Sequence, residues 1–536
     1  MNIPRTFHIQ TFGCQMNASD SEWLMRSLVA RGFVESRFEN AAFYILNTCS
    51  VREKAEQKVY SELGRIARYC KVHGRTNVTM CVGGCVAQQA GEQIMKRFPQ
   101  VRLVFGTDGI ARAPEAISRL VEEPRLRLKL LDFTEEYGER EDVRLSEASW
   151  RGAAPPPRQG LAGPGPGIPG NSSAVSRLRG VQGKSFPLPG ESEGAEPPQG
   201  VWGGAPNPDI PPAVFVNIMQ GCDNYCSYCI VPYVRGPQKS REFEAVLAEC
   251  RTLARGGARE ITLLGQNVNS YGQDQGKRSG EKPPFAELLY AVAAIPGLER
   301  LRFVTSHPKD IAPEVIRAFA ELDSLCPRLH LPLQSGSDRI LKAMNRRYDT
   351  ARYMAIVEQL KKARPDILLT TDIIVGFPGE TEEDFQATMH IMREVGFASS
   401  FSFVYSDRPR ARAVLLPDKI ERAVALERLS RLQEWQNSAN DTLLASMKGE
   451  ECVILLEGKS RLDALLPENG RAPDLADESE PLESWQGKTP QGFIVNVELP
   501  ARSGPEGSGW LGAMLPVRID AAARHSLKGR QAGAPW

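Results

Sequence analysis

Cys222, Cys226 and Cys229, in GCDNYCSYC directly after the apolar run VFVNIM, offer three thiols from one short loop at the spacing CxxxCxxC. A cube of four irons is ordinarily held by four thiolates, so a set of three leaves one iron open to a small molecule. An open iron points to chemistry rather than to storage of electrons. A structural zinc knuckle is the plainer reading of clustered cysteines, but such sites draw paired ligands from two separate places to close a tetrahedron. No second pair accompanies this triplet.

A further set of cysteines is spread along the amino-terminal part of the chain. Cys14 lies in TFGCQMN after HIQTF, Cys49 in NTCSVRE after FYIL, and Cys85 in GGCVAQ after VTMCV. Each follows a short apolar run of the kind expected for a buried parallel strand. At the carboxyl ends of neighbouring parallel strands, groups far apart in sequence converge on one crevice. Three remote thiols can therefore share a metal centre. Ordinary buried cysteines packing as small hydrophobes are the alternative, and Cys14 alone would favour it. Three strand ends with flanking Gly and Asn favour the metal.

The CxxxCxxC spacing, with the aromatic Tyr228 before its last cysteine, resembles the radical S-adenosylmethionine superfamily. TFGCQMN, NTCSVRE and GGCVAQ are similar to the three cysteine motifs of the methylthiotransferase family, and the resemblance runs from about residue 5 to about residue 525. That family joins an amino-terminal α/β domain, with an auxiliary 4Fe-4S cluster, to a radical S-adenosylmethionine domain. The resemblance implies two 4Fe-4S clusters, one on Cys14, Cys49 and Cys85 and one on Cys222, Cys226 and Cys229, all six cysteines being catalytic. It implies S-adenosyl-L-methionine as the second cofactor, cleaved to a 5′-deoxyadenosyl radical at one cluster while the other holds sulfur. The net outcome would be a carbon-hydrogen bond converted to carbon-thiomethyl. GQN after the second barrel strand and GFPGE after the fifth resemble segments that help bind S-adenosylmethionine, which assigns Gly265, Gln266, Gly376 and Glu380 to cofactor binding beside Tyr228. Turn chemistry alone is the other reading of GFPGE. Cys70, Cys81, Cys250, Cys326 and Cys452 match none of the motifs. Cys81 is set aside because GCVAQ, around Cys85, carries the family pattern.

Within the family, GQNVN together with TFGCQMN, NTCSVRE and GSDRIL is most similar to the branch that modifies carbon 2 of an isopentenylated adenosine beside the tRNA anticodon. The sister branches act on threonylcarbamoyl-adenosine or on an aspartate of a ribosomal protein. An iron-sulfur protein that senses redox state or binds RNA without catalysis is the reading from another class. It accounts for the cysteines but not for GQN and GFPGE at successive strand ends. One departure from the family stands out: YSDRPRARAVLLP lacks the usual YSPRPGTPA, which puts the contacts of the 406–417 loop in doubt.

These sites need a scaffold, and the pattern of apolar runs supplies one. From residue 214 the runs VFVNIM, EITLLG, LRFVTS, LHLPLQ, TTDIIVGF and SSFSFVY alternate with amphipathic stretches, as parallel strands of a barrel or partial barrel do. Polar and glycine-rich residues follow each run, on the face where barrels assemble active sites. The expected fold is therefore α/β: an amino-terminal open parallel α/β domain over 1–150, a six-unit partial (β/α) barrel over 213–448, and a small β-barrel over 449–530. Ile420 to Met447 reads as a helix with Leu426, Leu429, Leu432 and Trp435 on one side. The carboxyl-terminal alternation resembles the TRAM domain, an RNA-binding β-barrel, with Arg518, Arg524, His525, Lys528 and Arg530 as a phosphate-binding patch. The stretches 463–484 and 501–509 read as loop insertions within it. Arg235 and Arg241, in PYVRGPQKSRE, are candidates for binding substrate phosphate or carboxylate, with solvated arginines as the bland alternative. His330 is read either as facing the barrel mouth or as a satisfied core histidine.

Length and composition fit this division. A chain of 536 residues has room for roughly three or four domains. Residues 151–212 hold 14 prolines and 13 glycines, a linker or insertion composition that cannot bury enough apolar surface to offset its ordering entropy. Lys and Arg (66) nearly equal Asp and Glu (65), so the global field advertises no polyanionic partner and contacts to RNA must be local. The start runs at once into a strand pattern and no apolar run reaches membrane-spanning length, so a cytoplasmic protein with no membrane partner is expected. Eleven cysteines with motif spacing then read as ligands rather than disulfides. The expected partners are a tRNA substrate, an electron donor such as flavodoxin or ferredoxin, and iron-sulfur assembly or carrier proteins; the chain is expected to be a monomer.

Overall fold

The computed structural model describes residues 3–50, 53–138, 210–275, 284–460, 482–501 and 509–536. The proline- and glycine-rich segment lies outside these residues except for its last three positions. The first unit alternates β1 (Thr6–Thr11), α1 (Gln15–Ala30), β2 (Val34–Glu35), β3 (Phe43–Thr48), α2 (Glu53–Val72), β4 (Thr79–Gly84), α3 (Cys85–Arg97), β5 (Val101–Phe105), α4 (Ala113–Glu122) and β6 (Leu128–Leu130). All strands run parallel in the order β2-β1-β3-β4-β5-β6. Every residue of β3 and β4 is buried, as a sheet covered on both faces requires. Phe7, Phe43, Ile45 and Phe105 pack against Leu24, Leu28, Ile117 and Leu120 on one side. Tyr44, Leu46, Met80 and Val82 meet Val59, Leu63, Val86 and Ile94 on the other. The strand order reverses between β1 and β3, which places a ligand crevice at their carboxyl ends.

The second unit begins with β7 (Ala213–Asn217), β8 (Met219–Gln220), α5 (Val231–Val234), β9 (Lys239–Ser240) and α6 (Phe243–Arg255). It continues through β10 (Glu260–Leu264), α7 (Pro284–Ala293), β11 (Arg300–Val304), α8 (Pro313–Glu321), β12 (Arg328–His330), α9 (Asp338–Ala343) and α10 (Thr350–Ala363). It closes with β13 (Leu368–Val375), α11 (Glu382–Val395), β14 (Ser399–Val404) and α12 (Arg422–Ser446). The six predicted apolar runs are all strands, in two parallel sets, β11-β10-β7 and β12-β13-β14, bridged at Leu301 and Leu325. One apolar core fills the space between these strands and their helices. Helix α12 is present, but Leu426 is 46% exposed and the buried line runs through Ala425, Arg428, Leu432 and Gln436. Strict three-residue steps drift around a helix of 3.6 residues per turn, so the predicted stripe left the core at one end.

The last unit is a closed barrel of β15 (Glu451–Lys459), β16 (Leu482–Lys488), β17 (Ile494–Pro500), β18 (Met514–Ala522) and β19 (Leu527–Gln531) in the order β15-β16-β17-β19-β18. Closure removes open sheet edges. Strand β16 takes in the last three residues of the stretch read as the loop 463–484. Arg518, Arg524, His525, Lys528 and Arg530 are all exposed, with Arg518 opposite Arg530 across β18 and β19. Arg300 and Arg328 tie this barrel to the strands of the second unit by donating to the carbonyls of Lys488 and Gln491 at 2.6 and 2.8 Å. No described helix is long and apolar enough to cross a membrane.

Candidate iron-sulfur and cofactor sites

Cys14, Cys49 and Cys85 sit at the carboxyl ends of the adjacent strands β1, β3 and β4, astride the switch in strand order. Glycine makes the approach possible. Gly13 and Gly84 hold φ of +120° and +87°, and a Cβ on Gly13 would overlap that of Cys49. The flanking asparagines lock the two loops: Asn17 Nδ2 donates to Asn47 Oδ1 and to Thr48 O at 2.9 Å, while Asn47 Nδ2 donates to Asn17 O at 2.9 Å. Cys14 caps α1 and Cys85 opens α3, so both thiols meet the positive end of a helix. Hydrogen bonding from Cys49, aided by Arg235, lowers Cys14 to about 7 and Cys85 to about 6 against the opposing effect of burial. Cys49 is pushed up by the same two neighbours. Cys14 lies at the open side of the trio and the other two are buried.

Cys81 is unlike these. It is fully buried within β4, in the apolar core, and burial holds its thiol well above the ordinary range.

Cys222, Cys226 and Cys229 lie on the loop between β8 and α5. Gly221, at φ +81°, donates its N–H to Gln266 Oε1 at 2.6 Å and starts the loop. Ser227 N donates to Met344 O at 2.9 Å, Asn345 Nδ2 to Tyr225 O at 2.9 Å, and Ala413 N to Ser227 O at 2.8 Å, so the end of α9 and the 406–417 loop both hold it. Buried Arg346 donates to Cys226 Sγ and to Tyr228 OH, each at 3.4 Å. His307 Nδ1 accepts from Lys309 N at 3.2 Å, which puts the ring proton on Nε2, 3.9 Å from Cys226 Sγ. Burial holds that ring neutral, down at about 2. Burial also raises Cys222 to about 11 and Cys229 to about 12, so metal must displace protons there. Sequence reasoning missed Arg346 and His307; a buried arginine leaves no periodic signal.

Among the described residues no group of three His, Cys, Asp or Glu side chains converges as ligands of a single ion would. Two trios of soft thiols, one at the carboxyl ends of three adjacent strands with Cys14 and Cys85 lowered, the other faced by two donors, fit a polynuclear iron-sulfur cluster instead. Around the barrel mouth Asn269 has both amide atoms buried without a hydrogen-bond partner, as are Asn267 Oδ1 and Ser306 Oγ. Such groups are expected to meet a ligand or water.

The residues assigned to cofactor binding are placed as follows. Gln266 faces the cluster loop, as described. A Cβ on Gly265 would lie 2.5 Å from Met219 Cγ, so glycine lets β10 pass under the loop. Glu380 turns back to accept from Gly376 N at 2.7 Å and pairs with Arg428 of α12 at 2.8 Å, bracing its own turn. Gly376 has φ +68°, and a Cβ there would lie 2.6 Å from Ala425 Cβ. Gly376→Ala is therefore expected to cost about 1–3 kcal/mol from overpacking and backbone strain, measured by chemical denaturation, with a change within about 0.5 kcal/mol speaking against it. Two arginines are not where a substrate anion would find them. Arg241 is buried, donating to Asn217 O at 2.9 Å and pairing with Glu249 at 2.7 Å, and Arg235 enters the amino-terminal thiol site. His330 is half-buried, hydrogen-bonded to Thr370 at 3.0 Å and 3.4 Å from Asp372, on the sheet face opposite Leu369 and Ile373.

The two thiol sites are neighbours. Cys85 packs with Ile230, Val234 and Tyr233, so helix α5, which directly follows Cys229, separates one trio from the other. Further bonds join the units there: Thr107 Oγ1 to Val234 O at 3.1 Å, and Asn217 Nδ2 to Ser19 Oγ at 3.2 Å.

A half-barrel of parallel strands with this cysteine loop at its carboxyl end is the frame of a radical S-adenosylmethionine protein, and residues 216–392 match the model of the radical SAM superfamily. Residues 6–106 match that of the uncharacterized protein family UPF0004. The chain is 52% identical over 532 residues to the tRNA-2-methylthio-N(6)-dimethylallyladenosine synthase of Nitratidesulfovibrio vulgaris Hildenborough, covering 99% of each. It is 53% identical to that of Oleidesulfovibrio alaskensis G20, again over 99% of each. The chain belongs to the tRNA-2-methylthio-N(6)-dimethylallyladenosine synthase family. Its proline- and glycine-rich segment lies within the aligned span. Among solved structures it is similar to the radical S-adenosylmethionine methyltransferase TsrM of Kitasatospora setae, at 14% identity and TM-score 0.46, over 75% of this chain and 72% of that one.

Proposed function

We infer that this protein is a radical S-adenosylmethionine tRNA methylthiotransferase that converts N6-isopentenyladenosine beside the anticodon to its 2-methylthio derivative. The observation that carries the reading is the pair of thiol trios on either side of α5, in a chain matched along its whole length by synthases of that name. The cofactors are two 4Fe-4S clusters and S-adenosyl-L-methionine.

Cys222, Cys226 and Cys229 hold the cluster that binds S-adenosylmethionine, and Cys14, Cys49 and Cys85 hold the auxiliary one. When bound, these groups supply a carbon-centred radical able to break a carbon-hydrogen bond that no protein acid or base could activate, together with the sulfur to be transferred. The chain's own residues orient and shield. Arg346 and the Nε2–H of His307 point donors at Cys226 Sγ and fix its position in the loop. Tyr228, Asn269 and Ser306 line the cofactor's side of the mouth, while Gln266, Gly265, Gly376 and Glu380 fix the loops around it. Residues 1–150, 213–448 and 449–530 divide the work into sulfur carrier, radical generator and RNA holder, the last through exposed Arg518, Arg524, Lys528 and Arg530. The chemistry calls for an outside one-electron donor such as flavodoxin or ferredoxin and for iron-sulfur carrier proteins, in a cytoplasmic setting.

The test is anaerobic turnover of the reconstituted protein with S-adenosylmethionine, reductant and isopentenylated anticodon-stem RNA, with nucleosides read by mass spectrometry. A 2-methylthio gain on the isopentenyladenosine is expected. Formation of 5′-deoxyadenosine with the RNA unchanged would hand the substrate to a sister branch, and absence of both products would overturn the enzyme reading.

A further inference from the structure

We propose that Arg235 is the fixed counter-charge of the amino-terminal iron-sulfur site, a positioning residue lent by the radical unit, which raises the potential at which that cluster accepts an electron. The proposal rests on the reading of Cys14, Cys49 and Cys85 as cluster ligands. Arg235 follows the last residue of α5, its N–H donating to Val231 O at 2.8 Å. From there the side chain crosses into the crevice between β1, β3 and β4 and is 4% exposed. Its Nη2 lies 3.3 Å from Asn17 Oδ1, which also accepts from the Cys14 thiol at 3.1 Å, and 3.8 Å from Asp20 Oδ2, while Cys85 packs against Val234, the residue before Arg235.

A buried guanidinium is costly unless anions face it. Here Asp20 faces it at 3.8 Å, and with a cluster bound the ligand thiolates would face it as well; a guanidinium keeps its proton throughout. An oxidised 4Fe-4S core on three thiolates would carry about one net negative charge, which one arginine matches, and each electron taken up adds one further negative charge. A positive group touching the ligands favours the reduced form, which is the lever that hydrogen bonds and net charge exert on cluster potentials. The arginine arrives on the helix between the two sites, so this lever exists only while the two units are docked.

The experiment is an EPR-monitored potentiometric titration, with mediators passing single electrons from dithionite, of reconstituted full-length protein. Cys222, Cys226 and Cys229 are changed to Ala so that only the auxiliary cluster is read. Arg235→Met and Arg235→Lys are compared with Arg235 in that background. Docking does not hang on this residue alone, since Thr107 to Val234 and Asn217 to Ser19 also span the contact. The expected result is a more negative midpoint in Arg235→Met that Arg235→Lys largely restores; loss of the cluster in the Met variant alone would likewise mark the need for positive charge. An unchanged midpoint in Arg235→Met overturns the proposal and leaves the ligand reading standing. Loss of the cluster in both variants, with native circular dichroism, assigns the arginine to packing and overturns it too. If the parent background binds no iron, the ligand reading falls and takes the proposal with it.

Discussion

Changing Cys222, Cys226 and Cys229 together to alanine is expected to leave a folded protein that retains roughly half of its iron and releases no 5′-deoxyadenosine above a protein-free control, a loss of several orders of magnitude. The loop that carries these residues is held by backbone bonds from Ser227 and Ala413 and by the side chains of Asn345 and Gln266, none of which uses a thiol, so the fold survives. Arg346 and His307 remain, but neither replaces a thiolate ligand, and no acid or base in the mouth substitutes for radical chemistry. The companion change of Cys14, Cys49 and Cys85 should split the phenotype: 5′-deoxyadenosine still forms, while no 2-methylthio nucleoside appears. Iron analysis and product mass spectrometry read both proteins. Retention of 5′-deoxyadenosine formation in the first variant would refute the assignment of its cysteines; so would equal loss of that product in the second, because it would mean one site serves both steps.

That split was legible in the sequence because cluster chemistry is written in residue type and spacing. CxxxCxxC is local, and TFGC, NTC and GGC each end an apolar run, so the parallel-sheet rule brought them together before any coordinates did. Cys81 is set aside in favour of Cys85 on the resemblance of GCVAQ to the family pattern, and the structure adds that Cys81 lies inside β4 with its side chain in the apolar core. What sequence could not show was anything set by docking between distant elements. Arg235 reads from sequence as a candidate for substrate phosphate or carboxylate, with solvation as the alternative; its partners Asn17 and Asp20 lie more than two hundred residues away. Gln266 and Glu380 are assigned to cofactor binding through motifs that resemble the family's, yet their side chains brace backbone, a difference that depends on rotamer and not on type. The altered 406–417 loop still reaches the cluster loop, through a backbone bond from Ala413 that any residue but proline can make.

Docking of the amino-terminal unit on the half-barrel turns on Asp108, and Asp108→Ala is expected to cost about 3–5 kcal/mol at that contact. Lys239 and Asp108 form an ion pair in which both side chains are 3% exposed. The carboxylate also takes a bond from Gln220, and from Thr134 N at 2.8 Å and Thr134 Oγ1 at 3.1 Å. Removing it leaves a buried ammonium with only the carbonyl and hydroxyl of Thr134 for company. Lys239→Met is expected to be milder, because the carboxylate keeps three hydrogen-bond donors after the ammonium has gone. The double variant should recover part of the loss, since it strands neither charge. Hydrogen exchange at α5 and β9 reads the docking directly, and a lower first transition in a denaturant series reads its energy. An Asp108→Ala protein whose exchange at α5 matches the parent, or a double variant worse than either single one, would refute this account of how the two thiol sites are held against one helix.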